Sequence, residues 1–171
     1  MKVGVTGHQR LVDEAQWRWV EEMINLELDA AAAPLVAVTS LAVGADQLLA
    51  KCVVARGGQV HAVLPFRDIE RTFAVEDLVP FRQLLASASV EVLTFEGSDE
   101  DAYLAAGKRV VALSDLMLAI WDGLPARGKG GTGDVVQWAI ARVPTVHINP
   151  VNRTVKRYDN HAPIESALSS D

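Results

Sequence analysis

Six short apolar runs recur along the chain, and longer segments with helical periodicity separate them. Each run is continuous rather than alternating, which is typical of strands covered on both faces of a parallel sheet. The runs occupy residues 2–6, 35–40, 59–65, 90–95, 116–121 and 145–148. We therefore expect six buried, parallel strands.

Five helices are predicted between these strands. The first begins after Asp13, whose carboxylate is a good N-cap, and its apolar residues recur at every third or fourth position. Those residues are Trp17, Val20, Ile24 and Leu28. The other four helices are expected at residues 45–55, 77–88, 99–113 and 132–142.

The regular succession of strand and helix predicts the fold class. Such a succession forms a parallel sheet with helices on both faces. We therefore expect a single-domain, Rossmann-like, doubly wound α/β fold over residues 1–148. Residues 149–171 lose the pattern and are interpreted as a C-terminal extension, in which residues 153–158 can add an edge strand before a flexible tail.

Composition limits the classes of partner. A chain of 171 residues, half of them hydrophobic, can bury the core of one domain. Its 22 Asp and Glu against 16 Lys and Arg give a formal net charge of −6, which provides no electrostatic footprint for nucleic acid or an anionic membrane. An anionic ligand must therefore be bound by local groups.

The cysteine count and the hydropathy pattern exclude further classes. Cys52 is the only cysteine, so disulfide scaffolding and cysteine metal clusters are excluded, and we expect this thiol to be buried. No cluster of His, Asp and Glu has the spacing of metal ligands, so no metal or other cofactor is expected. The sequence shows no charged leader and no apolar segment of membrane length, which indicates the cytoplasm.

The loops that follow the strands are the predicted place for a ligand, because open parallel sheets bind ligands where the strand order reverses. The loop after the fifth strand, GLPARGKGGTGDVV at residues 123–136, holds five glycines. Three of them, Gly130, Gly131 and Gly133, can turn their backbone N–H groups towards an oxyanion. The dipole of the following helix adds positive charge at that point.

Neighbouring side chains in this loop have two interpretations. Thr132 can cap the helix or donate its hydroxyl, while Lys129 and Arg127 add positive charge or point into solvent. A flexible surface loop with glycines as turn formers is the alternative for the whole segment. The loop is not a Walker loop, because Lys129 precedes the glycine pair, and no segment has the glycine spacing of a dinucleotide fingerprint.

The loop SLAVGAD, residues 40–46, is the second candidate for ligand binding. Its small residues allow a ligand to approach the backbone closely. Ser40 and the amides near Gly44 can contact a ligand, and Asp46 either pins the neighbouring loop or only caps its own helix.

Two further loops contribute candidates. In TGHQR, Gly7 allows close approach, His8 can hydrogen-bond a ribose or a base, and Arg10 can pair with a phosphate. Solvent-exposed side chains are the alternative for both His8 and Arg10. Asp122 directly follows the fifth strand and is expected to face the cleft, or else to form a turn with Gly123.

Several of these segments, in this order, resemble the SLOG superfamily of Rossmann-like nucleotide-binding proteins, which is named for its Smf (DNA-processing protein A) and Lonely-guy members and includes the YpsA-like proteins. The segments are GVTGHQR, TSLAVGADQLLA, LPF, AYLAAGKRVVALSDLMLAIWDG and GKGGTGDVVQWA, within residues 3–148. The resemblance implies a domain that binds nucleotides or nucleotide-derived ligands, often as a homodimer, with phosphate at the glycine-rich helix start.

The resemblance breaks at one catalytic position. Lonely-guy enzymes are phosphoribohydrolases whose motif runs Pro-Gly-Gly-x-Gly-Thr-x-x-Glu. Gly131 and Thr132 match its Gly-Thr, but Val135 occupies the position of the catalytic glutamate. Asp134 lies about 100° away around the helix, so Asp134 and Asp122 are the local carboxylates left for hydrolysis.

Two classes of function remain. The leading hypothesis is a module that binds a nucleotide or an ADP-ribose-like small molecule and acts as a sensor. The alternative is a phosphoribohydrolase or N-glycosidase that acts on nucleoside monophosphates. Binding of single-stranded DNA, by analogy with Smf proteins, is disfavoured because the chain is acidic and only 6% of its residues are aromatic.

Overall fold

The computed structural model describes residues 1–94, 97–125 and 131–159. The strands are β1 (Lys2–Gly7), β2 (Val36–Thr39), β3 (Gln59–Leu64), β4 (Ser89–Val92), β5 (Leu116–Ile120), β6 (Thr145–Asn149) and β7 (Thr154–Tyr158). The α-helices are α1 (Glu14–Ala30), α2 (Ala45–Ala55), α3 (Val75–Ala86), α4 (Asp99–Leu113) and α5 (Thr132–Ile140). A short 3₁₀ helix, Ile69–Thr72, precedes α3.

The seven strands form one sheet in the order β4-β3-β2-β1-β5-β6-β7. Strands β1 to β6 are parallel, and β7 pairs antiparallel with β6 at one edge. The chain builds the sheet in one direction from β1 to β4 and in the other from β5 onwards. The prediction of a Rossmann-like, mostly parallel α/β fold is thus confirmed, and its switch point lies between β1 and β5.

Helices cover both faces of the sheet. On one face, α1, α2 and α3 bury a core that includes Val20, Leu49 and Phe81. On the other face, α4 and α5 pack over a second core that includes Val110 and Val135. The lone cysteine, Cys52, belongs to the first core, and burial raises the pKa of its thiol to about 11, so the thiol stays protonated near neutral pH.

Most element bounds follow the sequence pattern closely. Helices α2 and α4 span the predicted residues, α1 begins after its N-cap Asp13, and α3 begins two residues earlier than the pattern indicates. None of the described helices is long and apolar enough to cross a membrane. Strand β4 departs from expectation because it lies at an open edge, where Val90 is 47% exposed rather than buried.

The edge strand β7 is joined to α1 by an ion pair whose carboxylate is buried. Arg157 donates from Nη1 and Nη2 to the two carboxylate oxygens of Glu27, at 2.9 and 2.6 Å. The Glu27 side chain is only 8% exposed, whereas the Arg157 side chain is 59% exposed. A bidentate guanidinium therefore compensates the burial of a carboxylate beneath the last strand.

Replacing Arg157 with Ala should lower the free energy of unfolding by about 1–3 kcal/mol, because Glu27 then loses its partner while it stays buried. Urea denaturation measures the change. Lys156→Ala, on the same strand, is the control and should change stability by less than about 0.5–1 kcal/mol. The double variant Arg157→Ala, Glu27→Gln removes the buried charge as well. If it recovers none of the lost free energy of unfolding, the buried charge of Glu27 is not the cause of the destabilisation.

Candidate functional site

A cavity of about 790 Å³ opens at the carboxyl ends of β1, β2 and β5. This volume falls within the range of small-molecule sites in proteins. The walls come from the loops after these three strands, from α4 and from the start of α5. The cavity therefore lies at the switch point, where the fold predicts a ligand.

His8 bridges the two strands at the switch point. Its backbone N–H donates to Ile120 O of β5 at 3.0 Å, and its carbonyl accepts from Ala45 N of α2 at 3.2 Å. Its imidazole Nε2 accepts from the backbone N–H of Asp122 at 3.1 Å. The carboxylate of Asp122 also approaches this nitrogen, with Oδ1 3.4 Å from Nε2.

Two glycines permit this close assembly. A β-carbon on Gly7, which lines the cavity, would lie 2.7 Å from the β-carbons of Ala45 and Ile120. Gly44 has φ +88°, and a β-carbon there would lie 2.4 Å from Gln9 O. Gly44 is not among the described residues that line the cavity. It lies instead where the loop after β1 contacts the loop after β2.

Asp46 lines the cavity and holds the loop after β2. Its Oδ2 accepts from Thr39 Oγ1 at 2.8 Å and from Ser40 N at 3.0 Å, and Thr39 Oγ1 in turn accepts from Leu41 N at 3.0 Å. Asp46 is 8% exposed, and burial outweighs these hydrogen bonds and raises the pKa of its carboxyl to about 6. Asp46 thus pins the loop that carries Ser40, which also lines the cavity.

The turn after β5 places Asp122 in the cavity wall. Asp122 Oδ1 accepts from Leu124 N at 2.9 Å, and Trp121 Nε1 donates to Leu124 O at 2.8 Å. Gly123 occupies the turn with φ +87° and is not among the described lining residues. Asn149 Nδ2 donates to Asp122 O at 3.0 Å. Asp122 therefore forms a turn with Gly123 and also lines the cavity.

The start of α5 borders the same cavity through Gly131, Thr132 and Gly133. Asp134 N donates to Gly131 O at 3.0 Å. The donors available at this helix start are therefore fewer than the sequence indicates, because the amide of Asp134 is used within the helix.

Other predicted residues lie at the margin or elsewhere. Arg10 lines the cavity, but its Nη2 donates to Asp77 Oδ2 of α3 at 3.1 Å, so its charge is partly compensated. The Asp134 side chain is exposed and is not among the described lining residues. Lys129 and Gly130 lie outside the described residues, as does Arg127.

The floor of the cavity includes a close contact between α4 and α5. Gly107 and Val135 both line the cavity, and a β-carbon on Gly107 would lie 2.8 Å from Val135 Cγ2. The position that corresponds to the Lonely-guy glutamate is therefore an apolar side chain, 4% exposed, packed against a glycine.

Sequence reasoning missed several lining residues. Glu100 and Tyr103 of α4 line the cavity, and Tyr103 OH donates to Thr72 Oγ1 at 3.0 Å. The signal for both was their spacing of three residues, which puts them on one helix face with Gly107 four residues further on. Within residues 1–94, 97–125 and 131–159, no group of three or more His, Cys, Asp or Glu side chains could hold a metal ion.

Gly44→Ala should destabilise the protein by about 1–3 kcal/mol, because the new methyl group meets backbone oxygens and the residue must keep a positive φ. Thermal or urea unfolding measures the loss. Gly57→Ala is the control: Gly57 has φ +74° but open space around its Cα, so only the backbone cost of about 1 kcal/mol applies. Equal losses for both variants would contradict the steric argument.

The raised pKa of Asp46 predicts a pH dependence of stability. The folded state holds the Asp46 proton more tightly than the unfolded state, whose pKa is near 3.8, so the resulting stabilisation is complete below about pH 4 and is lost as the pH rises through about 6. Relative to Asp46→Asn, the wild type should lose up to about 3 kcal/mol between pH 4 and pH 7. Urea denaturation across this range measures the difference, and a constant difference would refute the assignment.

Comparisons with known proteins support the fold. The structure is similar to the X-ray structure of DNA processing protein A from Streptococcus pneumoniae, with a TM-score of 0.61 and 18% sequence identity. The match covers 85% of this chain and 49% of that chain, so this chain spans about half the length of the protein it matches. No protein-family model and no curated protein matches the chain. At this identity, the similarity establishes a shared Rossmann-like α/β fold.

Proposed function

We propose that this chain binds a nucleotide or a nucleotide-derived ligand, such as an ADP-ribose-like molecule, with a phosphate at the start of α5. The observation that carries the proposal is that one cavity at the switch point contains both the start of α5 and the polar ends of β1, β2 and β5. A phosphate needs N–H donors and positive potential, and a helix start supplies both.

The charges around the cavity support this orientation. Its described lining residues carry three carboxylates, Asp46, Glu100 and Asp122, and one guanidinium, that of Arg10. Phosphate is therefore best held by the backbone amides at the start of α5 rather than by side chains. Carboxylates and the hydroxyl of Ser40 suit the hydroxyl groups of a ribose, which donate and accept hydrogen bonds.

The shared fold and the motifs together support a place in the SLOG superfamily. The similar solved structure is a DNA processing protein A, which is the name of the Smf member of that superfamily. The glycine-rich helix start at Gly131 and Thr132 and the loop from Ser40 to Asp46 both border or brace the cavity. We infer that these motifs serve ligand binding in this chain.

Binding without hydrolysis is the version we favour. Val135 replaces a carboxylate in the cavity floor, and the neighbouring Asp134 is exposed outside the described lining. Hydrolysis of an N-glycosidic bond is a second candidate, and one observation favours it: Asp46 and Asp122 both line the cavity, and the pKa of Asp46 is raised to about 6. A carboxyl group with such a pKa can exchange a proton near neutral pH.

The similar solved protein is by name a DNA processing protein. For this chain, the net charge of −6 and the carboxylates around the cavity weigh against a nucleic-acid ligand. A small nucleotide needs only one local anion site. The small-molecule proposal is therefore the better supported one.

A thermal-shift and calorimetry panel of nucleoside mono- and diphosphates, cyclic nucleotides and ADP-ribose tests the proposal. Gly131 is the N-cap of α5 with φ −66°, a backbone conformation open to any residue, and Asp and Asn are both good N-caps. Gly131→Asp should weaken binding at least about tenfold through charge repulsion, and the uncharged Gly131→Asn should weaken it less. The proposal is wrong if no member of the panel stabilises the wild type.

Hydrolysis is tested separately with nucleoside monophosphates of all four bases. We expect no free base above the rate in buffer, as measured by chromatography, because the cavity floor has Val135 where the related hydrolases have a glutamate. Release of base by the wild type that is lost in Asp122→Asn or Asp46→Asn would instead establish the second candidate.

A further inference from the structure

Three strongly exposed aliphatic side chains line the cavity. Val12, Leu124 and Val151 are 88%, 57% and 64% exposed, and all three line the cavity. They come from three different connections, after β1, after β5 and after β6. We call these three residues the apolar lip. Exposed aliphatic residues that line a cavity beside polar groups suit the apolar part of a ligand.

The backbone of Leu124 is held at both of its polar groups. Its N–H donates to Asp122 Oδ1 at 2.9 Å, and its carbonyl accepts from Trp121 Nε1 at 2.8 Å. The Trp121 ring packs against His147 of β6, with ring centroids 5.2 Å apart. Leu124 is therefore fixed in its exposed position by the end of a buried strand.

The backbone N–H of each of the other two members is also hydrogen-bonded. Val151 N donates to Asn149 Oδ1 at 3.0 Å, and Val12 N donates to Gln16 Oε1 at 3.2 Å. Asn149 Nδ2 also donates to Asp122 O at 3.0 Å, so one amide side chain links the turns that carry Val151 and Leu124. The lip is thus preorganised, which lowers the conformational entropy that a ligand must overcome on binding.

We propose that the apolar lip is the subsite for the flat, apolar face of the ligand's base. The inference rests on the proposed function and deepens it. The proposed contacts hold the phosphate and the ribose, and the apolar lip gives a place to the base. Three aliphatic side chains expose far less than the roughly 800 Å² that each partner buries in a stable protein interface. A planar heterocycle is an occupant of the right size.

The chemistry of the lip sets its selectivity. Its side chains carry no hydrogen-bond donors or acceptors, so it cannot read the edges of a base. It discriminates by the apolar area that is removed from water. Purine nucleotides should therefore bind more tightly than pyrimidine nucleotides, and ribose 5-phosphate, which has no base, should gain nothing from the lip.

The test compares AMP with ribose 5-phosphate by calorimetry, in the wild type and in two double variants. Val12→Ser with Val151→Ser removes two members of the lip. Val75→Ser with Val79→Ser is the matched control, because these valines lie on α3, outside the described lining, and are 82% and 60% exposed. The lip variant should bind AMP about tenfold more weakly and ribose 5-phosphate within about twofold of the wild type, and the control should change neither.

The outcomes separate this inference from the proposed function. If the wild type binds no member of the nucleotide panel described above, the proposed function fails and the subsite with it. If it binds a member of the panel other than AMP, that nucleotide replaces AMP as the probe. If AMP binds to the wild type but the lip variant weakens neither probe, or weakens both equally, the subsite alone is refuted. Light scattering provides a second check. If the oligomeric state changes in the lip variant but not in the control, the base subsite is refuted and the apolar lip is a contact between two copies of this chain.

Discussion

The contact between the turn after β1 and its neighbours is the constraint on which the rest of the site depends. His8 is joined through its backbone to β5 on one side and to α2 on the other. The contact is too close for a β-carbon on Gly7 or Gly44. Because the turn bridges the switch point, its position fixes the distance between the two halves of the cavity wall.

Ordered polar groups then extend this constraint across the cavity. His8 accepts from the amide of Asp122, and Asp122 accepts from the amide of Leu124 and from Asn149. On the other side, Asp46 holds the backbone of Ser40. The polar groups around the cavity are thus held in fixed orientations, and two of its carboxylates, Asp46 and Asp122, accept hydrogen bonds from the loops of the cavity wall. Few groups must therefore rearrange before a ligand binds.

The sequence predicts the framework well because burial and helix capping are local signals. The continuous apolar runs locate strands β1 to β6, and the N-cap Asp13 locates the start of α1. Strand order is not local, so the exposure of β4 at the edge could not be read from its apolar run. The same holds for Gly44, whose tight neighbour is the backbone of a distant loop.

The location of the cavity was predictable from the sequence, and the contacts within its wall were less so. Parallel topology brings strand ends together, so Gly7, Ser40 and Asp122 converge as expected on one cavity. The role of Asn149 was not predictable, because its two hydrogen-bonded partners are set by the packing of β6 beside β5. Exposed Val12 and Val151 gave no sequence signal, since single exposed aliphatic residues are common on any protein surface.

The tight meeting of α4 and α5 at Gly107 and Val135 has a consequence for how such a protein can change its chemistry. A glutamate at position 135 would need room for a longer, charged side chain where the two helices already touch. Because Gly107 has no side chain, the approach of the two helices is set by Val135 alone. A change at either position therefore alters the packing of both helices, and the shape of the cavity floor changes with it.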